Sequence, residues 1–263
     1  MADEFDTTEY TARMRAMWGE GDYSGLAGRL APAAAELVET VAPDPAERVL
    51  DLAAGTGNVA ILVSARGTRV IAADLSPRMV EVGRARTEGL PVEWLEADAE
   101  SLPLPDASVD AVLSSFGVIS APRPEVALAE ARRVLVGGGT FACTVWRPDG
   151  FFGEMTTVMG RWLPRPPGIA DELDWGREDV VAGWLAKAGF SAATFRPAAL
   201  PWEFDSPAAL TRFLLDHSPT HRAARAALGE RAGEMFAAVE ELAGPAGEPV
   251  RVEAGYAVVT AVA

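Results

Sequence analysis

The sequence predicts a doubly wound α/β fold, a largely parallel sheet with helices on both faces. Three observations carry the prediction. Short apolar runs alternate with helix-spaced stretches between residues 48 and 146, the pattern of repeated β-α units. The runs 49–52 (VLDL) and 70–73 (VIAA) are apolar on both faces, as central strands covered from two sides must be. The first run ends in a turn of small residues, AAGTG, from which a helix starts near Asn58.

Taken in order, residues 24–42 have helical apolar spacing, broken by Pro43 and Pro45. Strands are expected at 48–53, 69–73, 92–96, 111–115 and 140–146, with helices at 58–65, 77–88 and 124–135. Gly137, Gly138 and Gly139 read as a helix stop ahead of the fifth strand. Residues 147–176 are rich in proline, glycine and aromatics and read as loop. A helix at 177–188 ends at Gly189, and 191–197 is a strand candidate. Ser206-Pro207 and Ser218-Pro219 each pair a capping residue with proline at the first helical position, opening helices at 207–217 and 220–243. Residues 252–262 close the chain as a strand.

This organisation divides into an N-terminal helical cap (1–45), a core (46–197) containing the loop-rich segment 147–176, a helical lid (198–251) and a final core strand (252–263). The lid, about fifty residues, is too small for comfortable independent stability but large enough to cover a pocket.

At 263 residues, 49% apolar and 23% charged, the chain has ordinary material for one or two globular domains. Its formal charge of −15 repels polyanions, which argues against nucleic acid or an anionic membrane surface as a partner. Cys143 is the only cysteine, so an internal disulfide and a cysteine-based zinc site are excluded. No run of about eighteen apolar residues suggests a membrane span. The start, MADEFDTTEY, has no basic segment leading into an apolar one, so a cytoplasmic protein is expected. Lys187 is the only lysine; arginine usage and abundant alanine suggest a GC-rich genome.

The informative stretch is VLDLAAGTGNVA (49–60). Gly55 and Gly57 permit a tight turn and a close ligand approach to the backbone. GTGNVA also matches the dinucleotide pattern G-x-G-x-x-G/A. Asp51 at the mouth of the turn would repel a pyrophosphate but suits an ammonium or a sulfonium. Asp74 ends the next strand, placed to accept ribose hydroxyls, with Leu75 beside it to cover a purine face. Asp98 follows the third strand, where it can accept from an exocyclic amine. Singly, each acid reads as a loop carboxylate or a helix cap; together, at the ends of consecutive strands, they describe a site.

The segments VLDLAAGTGN (49–58), VIAADLSPRMV (70–80), EADAESLPLPDASVDAVLSSFGV (96–118) and EARRVLVGGGTFACTVW (130–146) resemble the class I S-adenosylmethionine-dependent methyltransferases, specifically the UbiE-like small-molecule group. Residues 18–146 carry the likeness; Ala53 stands where many members have glycine. The resemblance implies a Rossmann-like seven-stranded sheet with an antiparallel last strand. It implies that Asp51, Ala53 and the backbone at Gly55 and Gly57 hold the methionine end of the cofactor. Asp74 would take the ribose, Leu75 and Met79 would pack on adenine, and Asp98 with the Ala99 amide would read the adenine edge. Ser114 and Phe116 would lie beside the transferable methyl. Trp18 and Tyr23 resemble the segment that covers the cofactor, ordinary helix packing being the plain alternative.

The expected reaction is methyl transfer to a small organic metabolite, at oxygen first, then nitrogen or carbon, in a biosynthetic tailoring role. Proximity and desolvation would supply most of the catalysis. His217 is the candidate base. With His221 it has ligand-like spacing, but the intervening Ser218-Pro219 starts a new helix, so no metal is expected. Trp146, Phe151, Phe152 and Phe213 are candidates for an apolar substrate pocket, and would serve equally as the core beneath a lid. A homodimer is compatible with the composition. The alternatives are a cofactor-binding protein that transfers no methyl, as a cyclase or regulator, and an NAD(P)-dependent oxidoreductase.

Overall fold

The structure is a computed structural model that describes residues 7–263; residues 1–6, where the expected cap begins, lie outside the described residues. Two helices come first, α1 (Thr7–Trp18) and α2 (Ser24–Val41). They are followed by β1 (Arg48–Leu52), α3 (Asn58–Ser64), β2 (Arg69–Asp74), α4 (Pro77–Arg86), β3 (Val92–Glu96), β4 (Val109–Ser115), α5 (Pro124–Val134) and β5 (Leu135–Trp146). The remainder is α6 (Phe151–Met159), α7 (Glu178–Lys187), β6 (Ser191–Phe204), α8 (Pro207–His217), α9 (Pro219–Leu228), α10 (Ala232–Ala243) and β7 (Val250–Val262).

The strands form one seven-stranded sheet in the order β3-β2-β1-β4-β5-β7-β6. β1 to β5 are parallel, and β7 runs antiparallel to both β5 and β6. The central runs behave as their composition demands: Val49, Leu50 and Leu52 of β1 and Val70 to Ala73 of β2 are all buried. The strand order reverses between β1 and β4, and in such sheets the crevice at the carboxyl ends of those strands takes the ligand.

Local chemistry sets the helix starts. Ser76 Oγ accepts from the Met79 amide with Pro77 next to it, and Ser206 Oγ accepts from the Ala209 amide ahead of Pro207. Ser218 does not cap in this way; its Oγ meets His221 Nδ1 at 2.7 Å instead.

Three expectations are corrected. The glycines at 137–139 lie inside β5, where they form an irregularity against β4 between Val109 and Ala111. A Cβ on Gly139 would stand 2.8 Å from the Asp110 carbonyl, so the run serves close strand approach. The segment 147–176 contains a helix, α6, whose Phe151, Phe152 and Met155 are buried. The expected helix 220–243 is two, α9 and α10, separated at Gly229.

β6 extends to Phe204 and β7 starts at Val250, so α8 to α10 fill the insertion between them. These helices pack on α2, α6 and the β6–β7 pair, and α9 also rests against α1. Among the described residues, no helix is long and apolar enough to cross a membrane.

Candidate functional site

A cavity with about 1060 Å³ of free space, open mouth included, lies over the carboxyl ends of β1, β2, β3 and β4. Its floor is the turn after β1, its sides are the loops after β2, β3 and β4, and its roof is α1 with Tyr23.

The turn after β1 is built around a buried carboxylate pair. Asp51 Oδ2 accepts from the Ala60 amide at 2.8 Å, tying the strand end to α3. Asp74 uses both oxygens: Oδ2 accepts from the Gly55 amide at 2.7 Å and Oδ1 from the Ser76 amide at 2.8 Å. Burial pushes the Asp51 carboxyl up to about 7; the Ala60 amide opposes this and the neighbouring Asp74 charge adds to it. Burial likewise pushes Asp74 up to about 6 against the pull of the Ser76 and Gly55 amides. No lysine, arginine or histidine lines the cavity. Two desolvated carboxyls without a cation describe a site that would welcome positive charge.

The backbone is strained on both sides of this pair. Ala53 at φ 52° and Phe116 at φ 56° are left-handed without being glycine. The two loops interlock, since a Cβ on Gly117 would stand 2.3 Å from the Ala53 carbonyl. Phe116 is held by its amide, which donates to Thr144 Oγ1 at 3.0 Å, and by stacking on Trp146 at 4.0 Å between ring centres. At Gly55 a Cβ would point toward the Tyr23 ring edge, 3.6 Å away, with nothing else within 4 Å. Tyr23 is half-buried, and its phenol is pushed up by desolvation, then by the Asp74 charge. Trp18 meets it edge to face at 5.9 Å.

Of the residues singled out from sequence, Trp18, Tyr23, Asp51, Ala53, Gly55, Asp74, Leu75, Met79, Asp98, Ala99 and Phe116 all line this one cavity. Gly57 and Ser114 do not. Gly57 is packed against Trp94, whose Cζ2 would stand 2.9 Å from an added Cβ. Ser114 is fully buried, its Oγ donating to the Leu52 carbonyl at 2.7 Å and accepting from the Val118 amide at 2.9 Å. Strand alternation turns the next hydroxyl, Ser115, toward the cavity instead.

The aromatic candidates take a different place. Trp146, Phe151, Phe152 and Phe213 are absent from the cavity wall. Trp146 stacks between Phe116 and Phe152, Phe152 meets Trp202 edge to face, and Trp202 meets Phe213, so the set runs from behind the cavity into the helical insertion. Neither does the insertion reach the cavity; α1 roofs it and α9 backs α1. His217 stands apart as well, its Nδ1 3.2 Å from the Asp22 carbonyl oxygen. His221 is buried in α9 and burial lowers it to about 4. Among the described residues, no group of three or more His, Cys, Asp or Glu could hold a metal ion.

Sequence reasoning missed Tyr10, Thr11 and Met14 of α1, Thr56 and Asn58 of the turn, and Ser120 to Pro122 after β4. One signal was available: Tyr10, Met14 and Trp18 recur every fourth residue, which puts them on one helical face.

Comparison with known proteins agrees with this geometry. The family model described as a methyltransferase domain matches residues 50–143. An uncharacterized protein of Mycobacterium tuberculosis is 41% identical over 173 residues, 64% of this chain and 63% of that one. The chain thus spans somewhat under two thirds of that relative's length. A demethylmenaquinone methyltransferase of Clavibacter sepedonicus is 36% identical over 172 residues, 59% of this chain and 70% of the relative. The chain belongs to the class I S-adenosylmethionine-dependent methyltransferases, in the UbiE-like group. The fold is shared more widely: the YcgJ protein of Bacillus subtilis superposes with a TM-score of 0.62 at 19% identity, covering 87% of this chain and 97% of that one.

The family's cofactor is S-adenosylmethionine, and the residues present fit it. Its sulfonium and ammonium would meet the buried Asp51 carboxyl, its ribose would meet Asp74, and Gly55 leaves the space a side chain would fill. A dinucleotide fits less well, because its pyrophosphate would find carboxylates and no basic side chain on the wall.

Proposed function

We propose that this chain transfers the methyl group of S-adenosylmethionine to a small organic acceptor, at oxygen first and then at nitrogen or carbon. The observation that carries the reading is the placing of Asp51, Asp74 and Asp98 around one cavity at the ends of consecutive parallel strands.

When bound, the cofactor supplies an electrophilic methyl on a sulfonium that leaves as a neutral thioether. The chain's own residues bind and orient. Asp74, already fixed by two backbone amides, presents its remaining lone pairs to the ribose hydroxyls. Leu75 and Met79 cover adenine, and Asp98 with the Ala99 amide reads its edge. Asp51 and the backbone at Ala53 and Gly55 hold the amino-acid end.

Ser115, Phe116 and Ser120 on one wall and Tyr10, Met14 and Trp18 on the roof remain for the acceptor. These are apolar surfaces with a few hydroxyls, a lining that suits an apolar ring system and excludes water once filled. The name of the Clavibacter relative, a demethylmenaquinone methyltransferase, is in keeping with such an acceptor. Catalysis rests mainly on alignment and desolvation, and alignment supplies roughly 7–11 kcal/mol in favourable cases.

Calorimetric titration with S-adenosylmethionine and S-adenosylhomocysteine tests this on wild type and Asp74→Ala. Micromolar-range binding is expected in wild type and none in the variant, followed by S-adenosylhomocysteine release in an acceptor screen. No heat from folded, ligand-stripped wild type overturns the reading. Binding without product across the screen points instead to a role in which the methyl is not transferred.

A further inference from the structure

Arg86 ends α4, and the packing of Trp94 brings that helix end behind the turn after β1. Gly83 and Gly57 both face the Trp94 ring; added Cβ atoms would stand 2.0 Å and 2.9 Å from its carbons. With no side chain on either glycine, helix, ring and turn close together. The Arg86 guanidinium then reaches the turn and makes four contacts there. Nη1 donates to the Thr56 carbonyl at 2.7 Å, to Thr56 Oγ1 at 2.6 Å and to Asn58 Oδ1 at 3.3 Å, and Nη2 donates to Asn58 Oδ1 at 3.3 Å. Asn58 continues the chain, its Nδ2 donating to the Ala27 carbonyl of α2 at 2.7 Å.

All of these acceptors are neutral oxygens. Partial desolvation lowers the Arg86 guanidinium although the residue as a whole is exposed, and among the described residues none of these contacts is to a carboxylate. Thr56 and Asn58 both line the cavity, whereas Arg86 does not.

We propose that Arg86 is a positioning residue for the amino-acid end of the cofactor. It locks the Thr56–Asn58 turn from behind through a forked set of hydrogen bonds and leaves the adenosine end to Asp74 and Asp98. The proposal rests on the reading of this cavity as the S-adenosylmethionine site. Lysine cannot reproduce it in full, because an ammonium lacks the planar fork that spans Thr56 and Asn58.

Two probes separate the ends of the ligand. S-adenosylhomocysteine carries the amino-acid end; 5′-methylthioadenosine lacks it and keeps the adenosine. Both are titrated calorimetrically into the full chain as wild type, Arg86→Met and Arg86→Lys, with circular dichroism to establish folding. In Arg86→Met the S-adenosylhomocysteine affinity falls by about tenfold or more, the size of one lost charge-assisted contact. The 5′-methylthioadenosine affinity stays within about twofold, and Arg86→Lys lies between wild type and Arg86→Met for the first ligand only. Equal loss for both ligands, or no loss for either, overturns the proposal. If Arg86→Met does not fold, Arg86→Lys is read by the same criterion. Wild type that binds neither ligand overturns the cofactor reading itself, and this proposal with it.

Discussion

The loops over β1 to β4 and the aromatic stack between β5, β6 and the helical insertion are built to opposite standards. The first keeps features that folding alone would remove: left-handed Ala53 and Phe116, and two buried carboxyls pushed up to about 7 and about 6. The second is close-packed aromatic contact. Trp146, Phe152, Trp202 and Phe213 join ring to ring, and Arg29 lies over Trp202, Phe204 and Phe213 at 4.2–5.2 Å. Unfavourable chemistry retained on the floor of a cavity is what the proposed binding role requires. A stack of rings packed on one another holds the insertion down.

Two glycines, one in each region, put this contrast at risk of failure with the largest effects. A Cβ at Gly117 would stand 2.3 Å from the Ala53 carbonyl, and one at Gly176 would stand 2.0 Å from the Trp146 carbonyl. Both obstacles are backbone, so Gly117→Ala and Gly176→Ala are each expected to lower stability by about 3 kcal/mol, the upper part of the range for overpacking. Their effects on binding should part. Gly117→Ala pushes the Ala53–Gly55 floor out of place and is expected to weaken S-adenosylhomocysteine by about tenfold or more, the size of one or more lost polar contacts. Gly176→Ala should leave affinity within about twofold under conditions where it is folded. Urea unfolding and calorimetry read the two quantities separately, and equal binding losses would erase the distinction between the regions.

What the sequence announced and what it concealed follow the same division. Asp51, Asp74 and Asp98 were legible as a set because each lies at or just past the carboxyl end of a short strand, and parallel topology alone brings such ends to one edge of the sheet. The aromatic residues were legible as a set, but not their destination. Whether Trp146 faces a ligand or Phe152 depends on contacts with β6 and α8, more than fifty residues away in sequence, which no local pattern encodes. Ser114, expected at the site, points away from the cavity and Ser115 lines it, since in a strand one place reverses the face. Helix α6 was hidden by the glycine and proline around it, although its buried Phe151, Phe152 and Met155 have helical spacing. The insertion was readable as helices from its Ser-Pro starts, but its position behind α1 instead of over the cavity was not.

A smaller effect, in pH, sharpens the comparison from the electrostatic side. Burial gives Asp51 and Asp74 proton affinities above the ordinary carboxylate value of 3.8. Between about pH 4 and 7 the folded state therefore holds protons that the unfolded chain has released. By linkage, stability contributed at these two positions falls as pH rises through that window, and the loss is complete above it. Asp51→Asn should flatten the slope of the urea midpoint between pH 5 and 7.5. Cofactor binding should run the other way, because the ligand's positive charge favours ionised Asp51 and its ribose hydroxyls donate to ionised Asp74. Affinity for S-adenosylmethionine is expected to rise with pH below about 7, by at most about tenfold per pH unit for each carboxyl. Proton release, measured by calorimetry in buffers of different ionisation enthalpy, accompanies it. A flat affinity profile would mean that the carboxyls do not meet the ligand.

The least effect is expected at His217, which chemistry alone would make the first candidate for a base. It lies at the end of α8, 3.2 Å from the Asp22 carbonyl oxygen and with Phe213 beside it at 4.9 Å between ring centres. A Cβ on Gly25 would come within 2.6 Å of its ring, so the imidazole is a spacer seated on α2. From there it cannot take a proton from an acceptor held against Phe116, on the far side of the aromatic stack. His217→Ala should therefore leave the rate of S-adenosylhomocysteine formation within about twofold and stability within about 1 kcal/mol, the usual scale for a half-exposed contact. A loss of a hundredfold or more with folding intact would place a proton transfer outside the cavity wall. The division between a strained binding edge and a structural aromatic half would then have to be redrawn around α8.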